Sequence, residues 1–300
     1  MKTLYNLPMA EYLKLPVFRS GMARAMLDCE KRAWHESWLN KDREQDDTNV
    51  TDIGSVAHAV LLHSEEDKIA EINPDNYLSQ KNEVPIGWTN KSIRAARDDA
   101  RAAGRIPILT ADMAAVRAMV ASAQSFMGRV KSKEGGISTA FEAGHREATI
   151  LCDVMGVPCA IRPDIWYDDI VIHVKTTAGS ANPEAWSRTQ LHGDRQYITA
   201  AFYRRVMLEA LQADTAHFFL VIEQNPPHLC SLIGMDPRTM DFGHAQTGRS
   251  LEDWRMCVEK QRWDAYPTRV CYPELPPWIE ARDNLEAQIS TFNPDLVSQA

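Results

Sequence analysis

The chain has 300 residues, 44% of them apolar and 25% charged, which are the proportions of a folded globular protein and not of a disordered one. Its net charge of -8 argues against a protein that coats nucleic acid through a general basic excess, while leaving room for a local basic groove. No run approaches the roughly 18 apolar residues of a membrane span, the N-terminus lacks a signal-peptide apolar run, and six cysteines form no C-x-x-C pair, so the expectation is a cytoplasmic protein with reduced thiols.

From the N-terminus, Ser20 to Leu39 predicts one helix with Ser20 as its N-cap. Residues 40–50 are polar and read as a loop. A second helix is expected from Thr51 or Asp52, with Val56, Ala59, Val60 and Leu61 as an apolar face around His58. Residues 64–90, broken by Pro74, Pro85 and Gly87, read as irregular. Helical patterning returns from Lys91 to Ala103 and stops at Gly104. Thr110 is expected to cap a long helix carrying Met113, Val116, Met119, Val120, Ala123 and Phe126 at helical spacing. Lys91, Arg94, Arg97, Arg101 and Arg105 recur every three or four residues. They form either a phosphate-binding face or, with Asp98 and Asp99 interleaved, a solvated helix surface; the second reading is preferred.

Near Gly135 the periodicity changes. Residues 146–154, 158–164 and 169–176 read as three short strands, with turns at Gly156 and Asp168–Asp169. A helix is expected from about Pro183 to Leu211 with a break at Gly193. Strands follow at 216–224 and 228–234, then a helix over 237–263, a Pro-rich stretch over 266–277 and a short helix near Trp278. The order is an α/β fold with a sheet flanked by helices. It divides a single domain into a helical elaboration (1–130), a sheet core (140–235) and a helical C-terminal part (236–300).

The stretch that can carry chemistry is AIRPDIWYDDIVIHVKTT, residues 160–177. Asp164 ends one strand and Lys175 lies in the next. His173 and Lys175 are two apart and share a face, while Ile172 and Val174 share the other. A polar pair on one face of an apolar strand needs a reason, because unpaired buried polar groups are costly. One reason is a divalent-metal site of Asp164, His173 and the Val174 carbonyl, with Lys175 positioning the attacking water. The other is a surface hairpin with an Asp164–Lys175 salt bridge, and spacing alone favours it.

Gly54-Ser55-Val56-Ala57-His58-Ala59-Val60-Leu61-Leu62, Gly104 to Thr110, Glu147, Arg162-Pro163-Asp164, Val174-Lys175-Thr176-Thr177, Ala200-Ala201-Phe202-Tyr203, and Trp263 to Tyr266 follow one another over nearly the whole chain. In this shared order they resemble the RecE-like exonucleases (exonuclease VIII), a phage and prophage branch of the PD-(D/E)XK nucleases. The resemblance implies a central mixed sheet flanked by helices, with His58 a metal ligand, Asp164 the central carboxylate, Lys175 the catalytic lysine and Glu147 a supporting acid. Arg162 would contact phosphate or orient Asp164, and Thr176 belongs to the substrate-facing end of the same motif. The resemblance further implies Mg²⁺ or Mn²⁺ as cofactor and double-stranded DNA ends as substrate. A single-strand annealing protein is the implied partner, and a ring-like homo-oligomer the implied assembly.

Two positions depart from the family pattern. His173 stands where an acidic residue is usual, and Thr199 where Gln is usual; Gln196, one turn earlier, is a candidate substitute. Imidazole in place of carboxylate removes a negative charge and suits Mn²⁺ better than Mg²⁺. The alternative to an active enzyme is therefore a silent homologue that binds DNA or protein. Asp168 and Asp169 would compensate only if their hairpin bent toward the site.

Overall fold

A computed structural model describes residues 1–43, 53–63, 69–77, 87–130, 136–277, 279–281 and 284. The chain opens with strand β1 (Lys2–Leu4) and helix α1 (Met9–Lys14). The single helix expected over 20–39 is instead two, α2 (Ser20–Met26) and α3 (Glu30–Glu36). Ser20 is the first helical residue and not the cap, and extended Cys29 restarts the second helix. A straight 20-residue helix spans about 30 Å. The bend keeps Met22, Ala23, Met26 and Ala33 on one core.

Helix α4 (Ile53–His63) carries His58. Its expected start at Thr51 or Asp52 lies outside the described residues. Strand β2 (Ile69–Ile72), helix α5 (Lys91–Ala102) and strand β3 (Ile106–Leu109) form a parallel β-α-β crossover. The expectation of an irregular 64–90 thus missed β2. Only four residues long, with a charged residue inside it, β2 lacks a readable period. Asn90 caps α5 by accepting from the Ser92 and Ile93 N–H groups, and Gly104 ends the segment at φ 71°. Helix α6 (Thr110–Met127) follows β3 directly; Leu109 takes the N-cap position, so Thr110 does not cap.

The remaining elements are α7 (Gly136–Ala143), β4 (His145–Arg146), β5 (Thr149–Val154), β6 (Val157–Ile161), β7 (Ile165–Tyr167) and β8 (Ile170–Thr177). After them come α8 (Pro183–Trp186), α9 (Gln196–Leu211), β9 (Ala216–Glu223), β10 (Cys230–Gly234) and α10 (Pro237–Lys260). The break expected at Gly193 falls at Arg195, which adopts φ 54° between a π-helical turn and α9.

The five-stranded sheet has the order β10-β9-β8-β7-β4, and a three-stranded sheet has the order β1-β5-β6. Strands β8 and β9 run parallel, the other pairs of both sheets antiparallel. The fold is therefore α/β with a central mixed sheet. Alternate residues of β8 and β9 feed two separate cores. Val171, Phe219 and Val221 pack with α2, α9 and α10; Ile172, Val174, Leu220 and Ile222 pack with α4 and α6. Met1–Asp264 forms one compact unit and Ala265–Ala300 a second. No described helix is long and apolar enough to cross a membrane.

Candidate active site

The site begins where the sheet loses a strand. The β7–β8 register stops at Ile165↔Ile172, whereas β9 stays beside β8 to Thr177↔Glu223. Among the described residues, one edge of β8 beyond Ile172 has no strand neighbour, and a side chain takes that place. Val174 N–H donates to Asp164 Oδ2 at 2.7 Å. On a strand the N–H and C=O of one residue point to the same edge, so the Val174 carbonyl faces the Asp164 side as well.

His58 meets this carboxylate from α4, with its Nε2 3.1 Å from Asp164 Oδ1. Burial raises the Asp164 pKa, but His58 overcomes it and, with Lys175 and His173, holds the carboxyl well below its ordinary range. Burial likewise opposes the charged form of His58, and Asp164 reverses that, so His58 stays above its usual value.

Glu147 approaches from the β4–β5 turn in a left-handed conformation, φ 48°. This is uncommon for a residue with a side chain and marks a constrained position. Its N–H donates to the Asp164 carbonyl at 3.2 Å, tying the two acidic residues together through the backbone. Its Oε2 is 2.7 Å from Arg162 Nη2 and 2.9 Å from His63 Nε2, and its Oε1 is 3.9 Å from His58 Nδ1. Burial raises the Glu147 pKa, but Arg162 and then His63 bring the net shift downward. Arg162 also donates to the Leu7 carbonyl at 2.5 Å and lies over the Tyr12 ring. Tyr203 O–H donates to the Arg162 carbonyl at 3.2 Å, so α9 holds the same segment from below.

Most of these groups border one open cleft of about 1090 Å³. His58, His63, Glu147, Arg162, Val174, Lys175 and Thr176 are on its wall, together with Asn6 to Met9, Gly54, Ser55 and Gly104. Of the residues singled out in the sequence, His58, Glu147, Arg162, Asp164, Val174, Lys175 and Thr176 come together here. Gln196 and Thr199 are not on the cleft wall. Thr199 is buried in α9, and its hydroxyl has no hydrogen-bond partner among the described residues. His173 lies beneath the site, 2% exposed, between the Tyr203 and Phe219 rings at 5.1 and 4.9 Å. Its Nε2 is 3.1 Å from His217 Nδ1. Burial depresses its pKa to about 4 although Asp164 pulls the other way.

Asp168 and Asp169 are exposed at the far end of β8 and do not reach the cleft. Along α5, Asp98 pairs with Arg97 at 2.8 Å and with Arg101 at 3.9 Å, and Arg105 binds the Ile69 carbonyl. The stripe thus reads as a partly self-neutralised helix surface. Two residues escaped sequence reasoning. His63 carries the same residue type as His58 five positions later and could have been found that way. His217 gave no signal, since its partner is 44 positions away.

Among the described residues no group of three or more His, Cys, Asp and Glu forms a ready metal cage. A pair nevertheless fits. Two ligands of one small cation, each at about 2.1 Å and at right angles, lie about 3 Å apart, which is the spacing of His58 Nε2 and Asp164 Oδ1. The Val174 carbonyl adds an oxygen donor on the same edge. Glu147 is committed to Arg162 and His63, which makes it an orienting group.

Residues 20–272 match the family described as PDDEXK-like domain of unknown function (DUF3799), and the chain belongs to that family. The fold is similar to that of a provisionally assigned exonuclease from Eubacterium rectale, 11% identical, with a TM-score of 0.53 over 90% of this chain and 94% of that one. An alkaline exonuclease from Laribacter hongkongensis is 12% identical over 69% of this chain and 95% of its own, at a TM-score of 0.25, too low to bear on the fold. No curated protein matches the chain.

Proposed function

We propose that this PDDEXK-like protein is a divalent-metal-dependent deoxyribonuclease that degrades one strand of linear duplex DNA from its end. The observation that carries the proposal is the Asp164 carboxylate, locked by Val174 N–H and met by His58 at ligand spacing, with His58, Val174 and Lys175 all on one cleft wall. His58, Asp164 and the Val174 carbonyl would hold Mg²⁺ or Mn²⁺. The bound cation would supply Lewis-acid polarisation of a phosphate and a lowered pKa for the attacking water.

The rest follows from the chain's own groups. The Asp164 carboxylate is kept ionised, so it is competent as a ligand across the physiological range. The Lys175 ammonium places positive charge in the cleft, where it orients the nucleophilic water and offsets charge developing on the phosphate. Glu147 holds the His63 ring, and Arg162, tied to Glu147 and Leu7, fixes the wall against which the strand lies. The resemblance to RecE-like exonucleases supports removal of the 5′-ended strand. It also supports a ring-like homo-oligomer and an annealing protein that takes up the remaining single strand.

A second reading has one specific observation behind it. His173, in the place of an acidic ligand, is buried and bonded to His217, as in a homologue that binds DNA without cutting it. Digestion of end-labelled linear and closed circular duplex, with Mg²⁺ or Mn²⁺, decides between the two. The wild-type chain is expected to shorten only the linear DNA and Lys175→Ala to leave it intact. Cleavage by His173→Asp alone would establish the silent reading.

A further inference from the structure

Behind the cleft His173 heads a chain of three buried polar side chains, the other two of which sequence reading did not reach. His173 Nε2 is 3.1 Å from His217 Nδ1, and His217 Nε2 is 3.0 Å from Thr215 Oγ1. Their exposures are 2%, 2% and 4%. Strand register explains the meeting: His217 pairs with Val171 and Phe219 with His173 across the parallel β8–β9 ladder, so His217 and His173 are diagonal neighbours on one face.

A neutral imidazole has one N–H and one lone pair. Two such rings in series with a hydroxyl can therefore be ordered in either of two directions. In one, Thr215 donates to His217, His217 donates to His173 Nε2, and the single proton of His173 sits on Nδ1. In the other, His173 Nε2–H donates to His217 Nδ1, His217 Nε2–H donates to Thr215, and His173 Nδ1 carries a lone pair. Each ring keeps one proton and both contacts of the relay are satisfied either way, because a hydroxyl both donates and accepts. A valine at 215 would satisfy neither order.

We infer that His217 and Thr215 are positioning residues that let His173 present Nδ1 as a lone-pair donor to the metal site. The inference rests on the metal-dependent reading above and gives it a residue-level account of how imidazole replaces the usual carboxylate. It is the arrangement in which a ligating histidine is oriented and fixed in one tautomer through its other ring nitrogen.

The test uses the full chain labelled with ¹⁵N-histidine and recorded with and without Mg²⁺, the rings being assigned with His173→Asn and His217→Asn. With Mg²⁺, His173 and His217 are both expected as Nε2–H tautomers, and the His173 Nδ1 resonance is expected to shift. A His58 response without any change at His173 would overturn the relay while leaving the metal reading intact. No response from any histidine to Mg²⁺ or to Mn²⁺ would sink both. Calorimetric Mn²⁺ binding adds a second measure. His217→Phe should weaken Mn²⁺ by about 10- to 100-fold, and His217→Asn, whose side-chain amide can still reach His173 Nε2, should recover part of that. In a His173→Asp background, where no tautomer needs setting, His217→Phe should cost less than about twofold. An equal loss in both backgrounds would reduce His217 to core packing and overturn the inference.

Discussion

The two ends of β8 have the same backbone and opposite characters. At the Ile170 end the strand has β7 on one side and β9 on the other, and the Asp169 carbonyl accepts Ala216 N–H at 2.7 Å. Two carboxylates there, Asp168 and Asp169, are exposed and belong to the turn. At the Lys175 end β7 has stopped, and the Asp164 carboxylate occupies the vacant edge through Val174 N–H. Nearness in sequence does not decide it: Asp168 and Asp169 adjoin Ile170, whereas Asp164 is ten residues from Val174. What separates them is whether the backbone ladder is complete. Where a strand is missing, a carboxylate is drawn in to satisfy an N–H, is kept ionised there, and becomes available for chemistry.

The comparison breaks most sharply at its active end. Asp164→Asn and Lys175→Ala should each lower cleavage of end-labelled duplex by about 1,000-fold, the scale of losing a group that acts on the proton-transfer or charge-developing step. Cleavage within tenfold of wild type would place the chemistry elsewhere. Next in size is the packing under His173. Phe219→Ala should cost about 3–5 kcal/mol in urea unfolding, because this ring is fully buried against His173 and Trp186. Glu147→Gln leaves the Arg162 guanidinium largely buried without its carboxylate and should cost about 2 kcal/mol, again read by urea unfolding.

Acid should also separate the two regions. His173 titrates near 4 when folded against 6.5 as the reference value. Between those values the unfolded chain binds more protons, so stability is full above about pH 6.5 and is lost as pH falls toward 4. His173→Asn should flatten that slope in unfolding curves taken at successive pH values. The smallest effect belongs to the quiet end: Asp168→Asn and Asp169→Asn should change cleavage by less than about twofold and stability by no more than about 0.5 kcal/mol. A tenfold loss of cleavage in either would mean that the hairpin reaches the substrate.

Much of this was legible in the sequence because it was local. The longer strands and the long helices announced themselves through period and turn residues, whereas the short β4 and β7 did not, and spacing alone favoured a surface salt bridge for Asp164 and Lys175. His58 and Glu147 were legible only through resemblance, since nothing in their surroundings says that residues 89 apart share a cleft. The break of the 20–39 helix and the β2–β3 pair were missed for a common reason. Each is decided by what it packs against, and short elements carry too little period to show it. His217 lies furthest from reach. A buried histidine on an apolar strand looks like core until its partner on the next strand is known, and that partner is set by register.

One contact bears on how the molecule comes into being. The Arg162 guanidinium that braces Glu147 also holds the carbonyl of Leu7, 155 positions earlier, and the first strand adds itself to the sheet at Thr149 to Leu151. The first wall of the cleft to leave the ribosome therefore waits for more than half the chain before its anchor exists. Closing so long a loop is entropically slow and comes late in folding. The cleft wall that Leu7 and Arg162 form together is thus assembled late, after the two halves it joins have both left the ribosome.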